Sequence, residues 1–262
     1  TGSAGPKGAG DAAVRTEGAG NVNLNVELDN TLQSGNTRAG VEKGNGGNLI
    51  IGSESGSGQL VAVGGDGGAG IGSEDRLASG NYNVGNITIT GGDIFATGNG
   101  GGAGIGGGYA SAGDVTIEGG TTVSAAGGVG GGAGVGGGAD LAGDEDTRNR
   151  VTIRSNGDGS PDVSAVGGAP EPGQDGEDAS KGGAAIGSGA LISPDEDTME
   201  ADADITIEGK VTISAVAGKD GVAIGANGKE KAFDDLLPGS SIDRRNTDGK
   251  DISLPGDKTA EK

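Results

Sequence analysis

The chain has 262 residues, of which 63 are Gly, and its only aromatic residues are two Tyr and two Phe. It contains no Trp, His or Cys and carries a net charge of −20. The missing His and Cys exclude Ser-His-Asp triads, thiolate nucleophiles and the usual structural zinc sites. The negative charge argues against a nucleic-acid partner, because phosphate backbones bind positive surfaces. No apolar run approaches the ~20 residues needed to span a membrane, so we expect no membrane span.

The first segment of the chain, residues 1–20, is rich in Gly and Ala and shows no alternation of apolar and polar residues. We predict an N-terminal arm or linker in this segment. Two interpretations stay open, a disordered leader and an arm that pairs with a neighbouring molecule at an exposed strand edge.

Residues 21–228 repeat one three-part phrase. Its parts read Val115-Thr116-Ile117, then Val123-Ser124-Ala125, then Ala133-Gly134-Val135-Gly136. Apolar residues alternate with small or polar ones, which is the period of a β-strand, and the Gly clusters between the parts provide turns. The apolar residue of the third part recurs at Val41, Ile71, Ile105, Val135, Ile186 and Ile224.

Three short strands separated by turns in each unit of ~30 residues predict an all-β fold, a parallel β-helix (solenoid) of about six three-strand coils. Stacking stabilises such coils, because one coil alone cannot bury its apolar face. The alternative fold is a polyglycine-helix sandwich, built from runs such as Gly98-Asn99-Gly100-Gly101-Gly102 and Gly130-Gly131-Gly132.

Three columns of residues are predicted to face outward from the stacked coils. The first contains Thr88, Thr116, Thr152 and Thr206, and the second contains Ser124, Ser164 and Ser214. The third column predicts a flat face, since small residues let another backbone or a polymer approach closely. We therefore expect a binding face there for a second copy, a neighbouring domain or a glycan, unless the Gly residues only ease a tight coil. This candidate binding face consists of Gly40, Gly70, Gly104, Gly134, Ala185 and Ala223.

Acidic insertions interrupt the repeat, and most of them fall between a third part and the next first part. Stacking would bring these loops along one edge, so we expect binding either through the acidic insertion loops or through the flat Gly/Ala face. Clustered carboxylates provide the oxygen ligands that calcium prefers, so calcium is a possible cofactor. The alternative is a solvated acidic edge that keeps the protein soluble. The candidate calcium ligands are Asp144, Asp146, Asp195 and Asp197.

Arg148, Arg150 and Arg154 follow the acidic residues Asp144 and Asp146. A polysaccharide lyase that uses carboxylate-bound calcium and an Arg base would need Arg and acidic residues close together in this way. Three Arg beside an acidic loop more often balance its charge, so we expect no enzyme.

The last segment, residues 229–262, abandons the repeat and is predicted to be a C-terminal cap and linker. Phe233, Leu236 and Leu237 are the residues expected to cover the last coil.

The phrase that runs from Gly85 to Gly98 and ends in Gly102-Ala103-Gly104-Ile105-Gly106 resembles a repeat of large secreted bacterial surface proteins. Those proteins are described as right-handed β-helix, adhesin-like or carbohydrate-binding proteins. The resemblance implies an extracellular, cell-surface location and a non-catalytic structural or adhesive role. The implied partner is another copy of the chain, a surface glycan or a protein receptor.

Two alternative functions stay open. One is a self-assembling subunit of an extracellular fibre, joined by coil stacking or by exchange of the terminal arm. The other follows from a second resemblance, to the Gly-rich tip adhesins of phage tail fibres, which use polyglycine helices.

Overall fold

The computed structural model describes residues 10–75, 83–141, 148–171, 181–191 and 202–259. Within these ranges the chain forms strands and turns, with no helix. The strands, numbered along the chain, fall into three sheets whose strands pair in parallel, apart from one antiparallel pair at the end of the third sheet.

The first sheet, called sheet 1, begins with the short strand β2 (Val22–Asn25) and contains the Val-Thr-Ile parts of the repeat. Its other strands are β5 (Leu49–Gly52), β8 (Asn83–Ile89), β11 (Ala112–Glu118), β14 (Arg148–Arg154) and β17 (Asp202–Glu208).

Sheet 2 contains the second part of each unit, in strands of five residues. These strands are β3 (Asp29–Gln33), β6 (Gln59–Val63), β9 (Asp93–Thr97), β12 (Thr122–Ala126), β15 (Asp162–Val166), β18 (Thr212–Val216) and β21 (Ser241–Arg245).

Sheet 3 contains the third part of each unit, in strands of only two or three residues. These strands are β1 (Val14–Thr16), β4 (Val41–Lys43), β7 (Ile71–Gly72), β10 (Ile105–Gly106), β13 (Val135–Gly136), β16 (Ile186–Gly187), β19 (Ile224–Ala226) and β20 (Lys229–Glu230).

Pairing follows the repeat, because through the repeat each strand pairs with the strand three places further along the chain. The register aligns equal positions, so Val115 lies beside Val151 and Thr116 beside Thr152. This arrangement confirms the predicted all-β fold of parallel sheets, a β-helix-like solenoid. The polyglycine-helix sandwich is wrong, since the runs at 98–102 and 130–132 lie in turns between strands of sheets 2 and 3.

The core is a set of stacked columns of aliphatic side chains. Ile71, Ile105 and Val135 contribute one column from sheet 3, and each is completely buried. Sheets 1 and 2 add similar columns, such as Ile117 beside Ile153 and Val123 beside Val163. Burial of apolar area contributes roughly 25 cal/mol per Å², so these columns supply much of the stability.

The sheets extend past both ends of the predicted repeat. β1 lies within the segment predicted to be an arm, and β20 and β21 lie within the predicted cap. Phe233 is buried and Leu236 packs against the core, as expected of residues that cover the last coil. Leu237 is 54% exposed, so the prediction that its side chain helps to cover the last coil is wrong.

Candidate binding surface

The column predicted as a flat binding face is buried. Gly40, Gly70, Gly104 and Gly134 are all buried, and Ala185 and Ala223 are 0% exposed. A methyl group on Gly104 would lie 2.6 Å from the carbonyl oxygen of Gly134 and 2.7 Å from the backbone nitrogen of Ala126. This column therefore packs against the backbone of sheet 2, and the predicted exposed face is wrong.

The reason is a tight loop around the short strands β7, β10, β13 and β16 of sheet 3. The backbone N–H of Ala69 donates to the carbonyl of Ser73 at 3.0 Å, and Ala103 donates to Gly107 in the same way at 2.8 Å. A loop closed over so few residues presents no flat face. Small residues occur there because backbone packs on backbone, which leaves no room for side chains.

The candidate calcium ligands Asp144, Asp146, Asp195 and Asp197 lie outside the described residues. Within the described ranges, no group of three or more acidic side chains is arranged to hold a metal ion.

The outer face of sheet 1 contains the predicted Thr column, flanked by charged residues. Thr88, Thr116, Thr152 and Thr206 lie in register on neighbouring strands. Beside this column, the three Arg of β14 pair with carboxylates on adjacent strands. The pairs are Arg150 with Asp114 at 3.3 Å, Arg154 with Glu118 at 2.7 Å and Arg148 with Asp204 at 3.4 Å.

These ion pairs are exposed, and such pairs are typically worth 0–1 kcal/mol. The Arg residues thus balance the charge of neighbouring strands. In the described residues, the three Arg pair with carboxylates on neighbouring strands, whereas the sequence suggested that they balance the acidic loop before them.

The outer face of sheet 2 is a regular surface built from strands of equal length. Seven strands lie in register, and the middle outward column reads Thr31, Val61, Phe95, Ser124, Ser164, Ser214 and Asp243. With strands ~4.8 Å apart, this column extends over roughly 29 Å. The predicted Ser column is therefore confirmed as part of a long outward column.

This surface, called the sheet 2 face, carries exposed apolar side chains. Phe95 in its middle column is 40% exposed, Val166 at the end of β15 is 41% exposed, and Val129, in the turn that follows β12, is 53% exposed. Asp93 and Asp162 lie along one margin, in register with Thr122 between them. The sheet 2 face thus combines an exposed ring, rows of hydroxyl groups and carboxylates at its edge.

Sheet 3 contains a buried acidic side chain, Glu42, near the N-terminal end of the fold. Glu42 is in register with Gly72 of the next unit and is only 3% exposed. Its Oε1 accepts a hydrogen bond from Arg38 at 3.1 Å and forms an ion pair with Arg15 at 3.2 Å. Burial raises the pKa of Glu42; Arg38 and Arg15 oppose this shift, and Glu74 adds to it.

Two structural features were not anticipated from the sequence. The Gly that follows the inward Ile or Val in five strands of sheet 3, β7, β10, β13, β16 and β19, has a positive φ, for example +132° at Gly136. The recurrence of Gly after this residue in the sequence was the available signal. The second feature is a buried network of Glu230, Arg244 and Asp257, which occurs once and so gives no periodic signal.

Comparison of the chain with protein-family models, curated proteins and solved structures finds no match. No helix among the described residues has the length and apolar character needed to cross a membrane.

Proposed function

We propose that the protein is a non-catalytic, extracellular structural and adhesive module, in which the solenoid is a rigid support and the sheet 2 face contacts a surface glycan. One observation carries this proposal, the regular, seven-stranded outer surface with Phe95 exposed among rows of hydroxyl groups. The extracellular location follows from the resemblance to bacterial surface proteins.

The chemistry of the sheet 2 face suits a sugar polymer. An aromatic ring can pack against the apolar side of a sugar ring, while Ser, Thr and Asp side chains exchange hydrogen bonds with its hydroxyl groups. The net charge of −20 disfavours acidic polysaccharides by repulsion. The ligand class is therefore a neutral glycan.

The test measures retention of the purified protein on insoluble cellulose, chitin and β-glucan, with an acidic polysaccharide as a comparison. We expect retention on at least one neutral polymer and its loss in Phe95→Ser. The matched control is Thr116→Ser, which changes the outer face of sheet 1. Equal retention of both variants, or no retention of the wild type on any neutral polymer, contradicts the proposal.

A second candidate function is the self-assembling fibre subunit. It is favoured by the N-terminal ends of sheets 1 and 2, where β2 and β3 are edge strands. Edge strands present unpaired backbone groups that can pair with another chain. Electron microscopy of the wild type separates the two functions, because filaments would support the fibre.

A further inference from the structure

One margin of the sheet 2 face carries carboxylates at a regular interval. The outward column on this margin passes through the strands in register, and from β3 to β18 it alternates acidic and neutral side chains. With strands about 4.8 Å apart, successive carboxylates are roughly 9.6 Å apart along the solenoid axis, the direction in which the units stack. In chain order this acidic margin contains Asp29, Gln59, Asp93, Thr122, Asp162, Thr212 and Ser241.

The three carboxylates of the acidic margin are accessible to a ligand. Asp29 and Asp162 are exposed, and Asp93 is half-buried. Within the described part of the chain, no hydrogen bond or ion pair engages their side chains. Three carboxylates on the outer face of sheet 1 instead pair with the Arg residues of β14. The acidic margin thus offers hydrogen-bond acceptors that the fold itself leaves unused.

The opposite margin of the sheet 2 face is mainly apolar. It lies two residues further along each strand than the middle column with Phe95, a distance of about 6.6 Å. In register, this apolar margin contains Val63, Thr97, Ala126, Val166 and Val216. The sheet 2 face is therefore amphipathic across its width, with acceptors on one side and apolar groups in the middle and on the other side.

A ribbon-like glycan has matching features. In a β-1,4-linked chain of pyranose sugars, each sugar is turned by half a revolution relative to the previous one, so equivalent hydroxyl groups return to the same edge at every second sugar. The length of two such sugars is close to the interval between successive carboxylates of the acidic margin. The C–H groups on the faces of the sugar rings suit Phe95 and the apolar margin. Hydroxyl groups on the edge of the chain can donate to carboxylates, which are strong acceptors.

We infer that the sheet 2 face recognises a β-1,4-linked neutral glycan that lies along the solenoid axis, with Asp93 and Asp162 accepting hydrogen bonds from every second sugar. This inference rests on the function proposed above, and it specifies the linkage and the direction of the ligand. Chains that coil, such as β-1,3- and α-1,4-linked glucans, do not keep one edge toward the acidic margin over several sugars. From Asp29 to Asp162 this margin extends over about 19 Å, the length of roughly four sugars.

The test measures binding of the full-length protein to soluble six-sugar oligomers by calorimetry. The probes are β-1,4-linked oligomers of glucose and of N-acetylglucosamine, and the comparisons are β-1,3- and α-1,4-linked oligomers of glucose. We expect at least one β-1,4 oligomer to bind about tenfold more tightly than both comparisons. Asp93→Ala and Asp162→Ala should each weaken that binding by about tenfold, since each removes hydrogen bonds to a charged group. The control Glu208→Ala removes an exposed carboxylate from the outer face of sheet 1 and should leave the affinity unchanged.

A further variant tests the interval and not the charge. Asp93→Thr combined with Thr122→Asp exchanges two neighbours on the acidic margin, so the net charge is kept but two carboxylates lie on adjacent strands. We expect binding about tenfold weaker than that of the wild type, with unchanged thermal unfolding. Asp162→Ala, at an exposed position, covers the case in which the exchange variant does not fold.

Two kinds of failure are distinguishable. Binding that depends on Phe95 but is equally tight for β-1,4 and β-1,3 oligomers would overturn the inference and leave the proposed function standing. Wild-type affinity of the exchange variant or of Asp162→Ala would do the same. Failure of the wild type to bind any neutral glycan, soluble or insoluble, would overturn both.

Discussion

At the residue scale, the feature that most constrains the sequence is the Gly that follows the inward Ile or Val in strands β7, β10, β13, β16 and β19 of sheet 3. Gly106, Gly136 and Gly187 have φ values of +130°, +132° and +137°, a region that other residues avoid. A methyl group on Gly136 would lie 2.0 Å from the carbonyl oxygen of Gly187 in the next unit. Both the backbone angle and the stacking distance therefore require Gly.

We predict that Gly136→Ala destabilises the fold by at least about 2 kcal/mol, because it combines backbone strain with a clash in a packed interior. Urea unfolding measures the change. Gly157→Ala is the matched control, since a methyl group there meets nothing within 4 Å and the residue has no positive φ. We expect the control to change stability by less than about 1 kcal/mol. Equal effects of the two substitutions would show that stacking does not constrain this column.

The buried Glu42 predicts an unusual dependence of stability on pH. Its pKa in the folded state is raised by burial, so folding favours the protonated carboxyl. The contribution of Glu42 to the free energy of unfolding should therefore increase as the pH falls through the raised pKa toward the ordinary value. Arg15 and Arg38 oppose this effect but do not reverse it.

Urea unfolding of the wild type and Glu42→Gln across a pH series isolates this contribution, because the other titrating groups are common to both proteins. We expect the wild type to gain stability relative to Glu42→Gln as the pH falls through the raised pKa. A relative loss would mean that the ion pairs with Arg15 and Arg38 outweigh the burial of the charge.

At the element scale, the strands of sheets 1 and 2 were predictable because their side chains alternate over three or more residues. Val115, Thr116 and Ile117 show the period of two directly, and the structure places them in, out and in. Register was equally accessible, since the same triplet recurs in each unit and a slip by one residue would expose the apolar side chains.

The strands of sheet 3 were misinterpreted because two residues cannot show an alternation. Both Ile105 and Gly106 are buried, so the in-and-out rule of longer strands does not apply to them. The cap was missed for another reason. Glu230 and Arg244 are brought together by the return of the chain along sheet 2, a contact between residues 14 apart that local patterns do not encode.

Two neighbouring residues of β14 allow the contributions of its buried and exposed faces to stability to be compared. Ile153 is completely buried between sheets, whereas the Arg154–Glu118 pair lies on the outer face with Arg154 46% exposed. We predict that Ile153→Ala costs about 2–5 kcal/mol through lost burial and a cavity. Arg154→Ala should cost less than about 1 kcal/mol, since exposed ion pairs contribute little. Thermal and urea unfolding of both variants provide the measurement, and comparable losses would contradict this division.

At the scale of the whole molecule, the two ends differ in how well they are covered. Val22, Leu24 and Leu32 occupy inward columns at the N-terminal end but are only half-buried. The counterparts of Val22 and Leu24 at the other end, Ile205 and Ile207, are 2% exposed. Each unit of a stacked array contacts mainly its neighbours. We therefore expect local stability to be lower at the N-terminal end, where the apolar side chains are half-buried, than at the C-terminal end, where they are buried.

Hydrogen exchange followed by mass spectrometry tests this gradient. We expect peptides from β2 and β3 to exchange faster than those from β17 and β18, since fewer apolar contacts must open at the uncovered end. Leu32→Ala should speed exchange in β3 and the adjacent β6 but leave β18 unchanged, because its effect passes only to the neighbouring unit. Ile105→Ala, in the middle of the core, is the comparison and should speed exchange on both sides of it. Equal protection of the two ends from exchange, or faster exchange of β18 in Leu32→Ala, would contradict this prediction. Either result would mean that the solenoid unfolds as one cooperative unit, because the C-terminal cap would then stabilise every coil to the same extent.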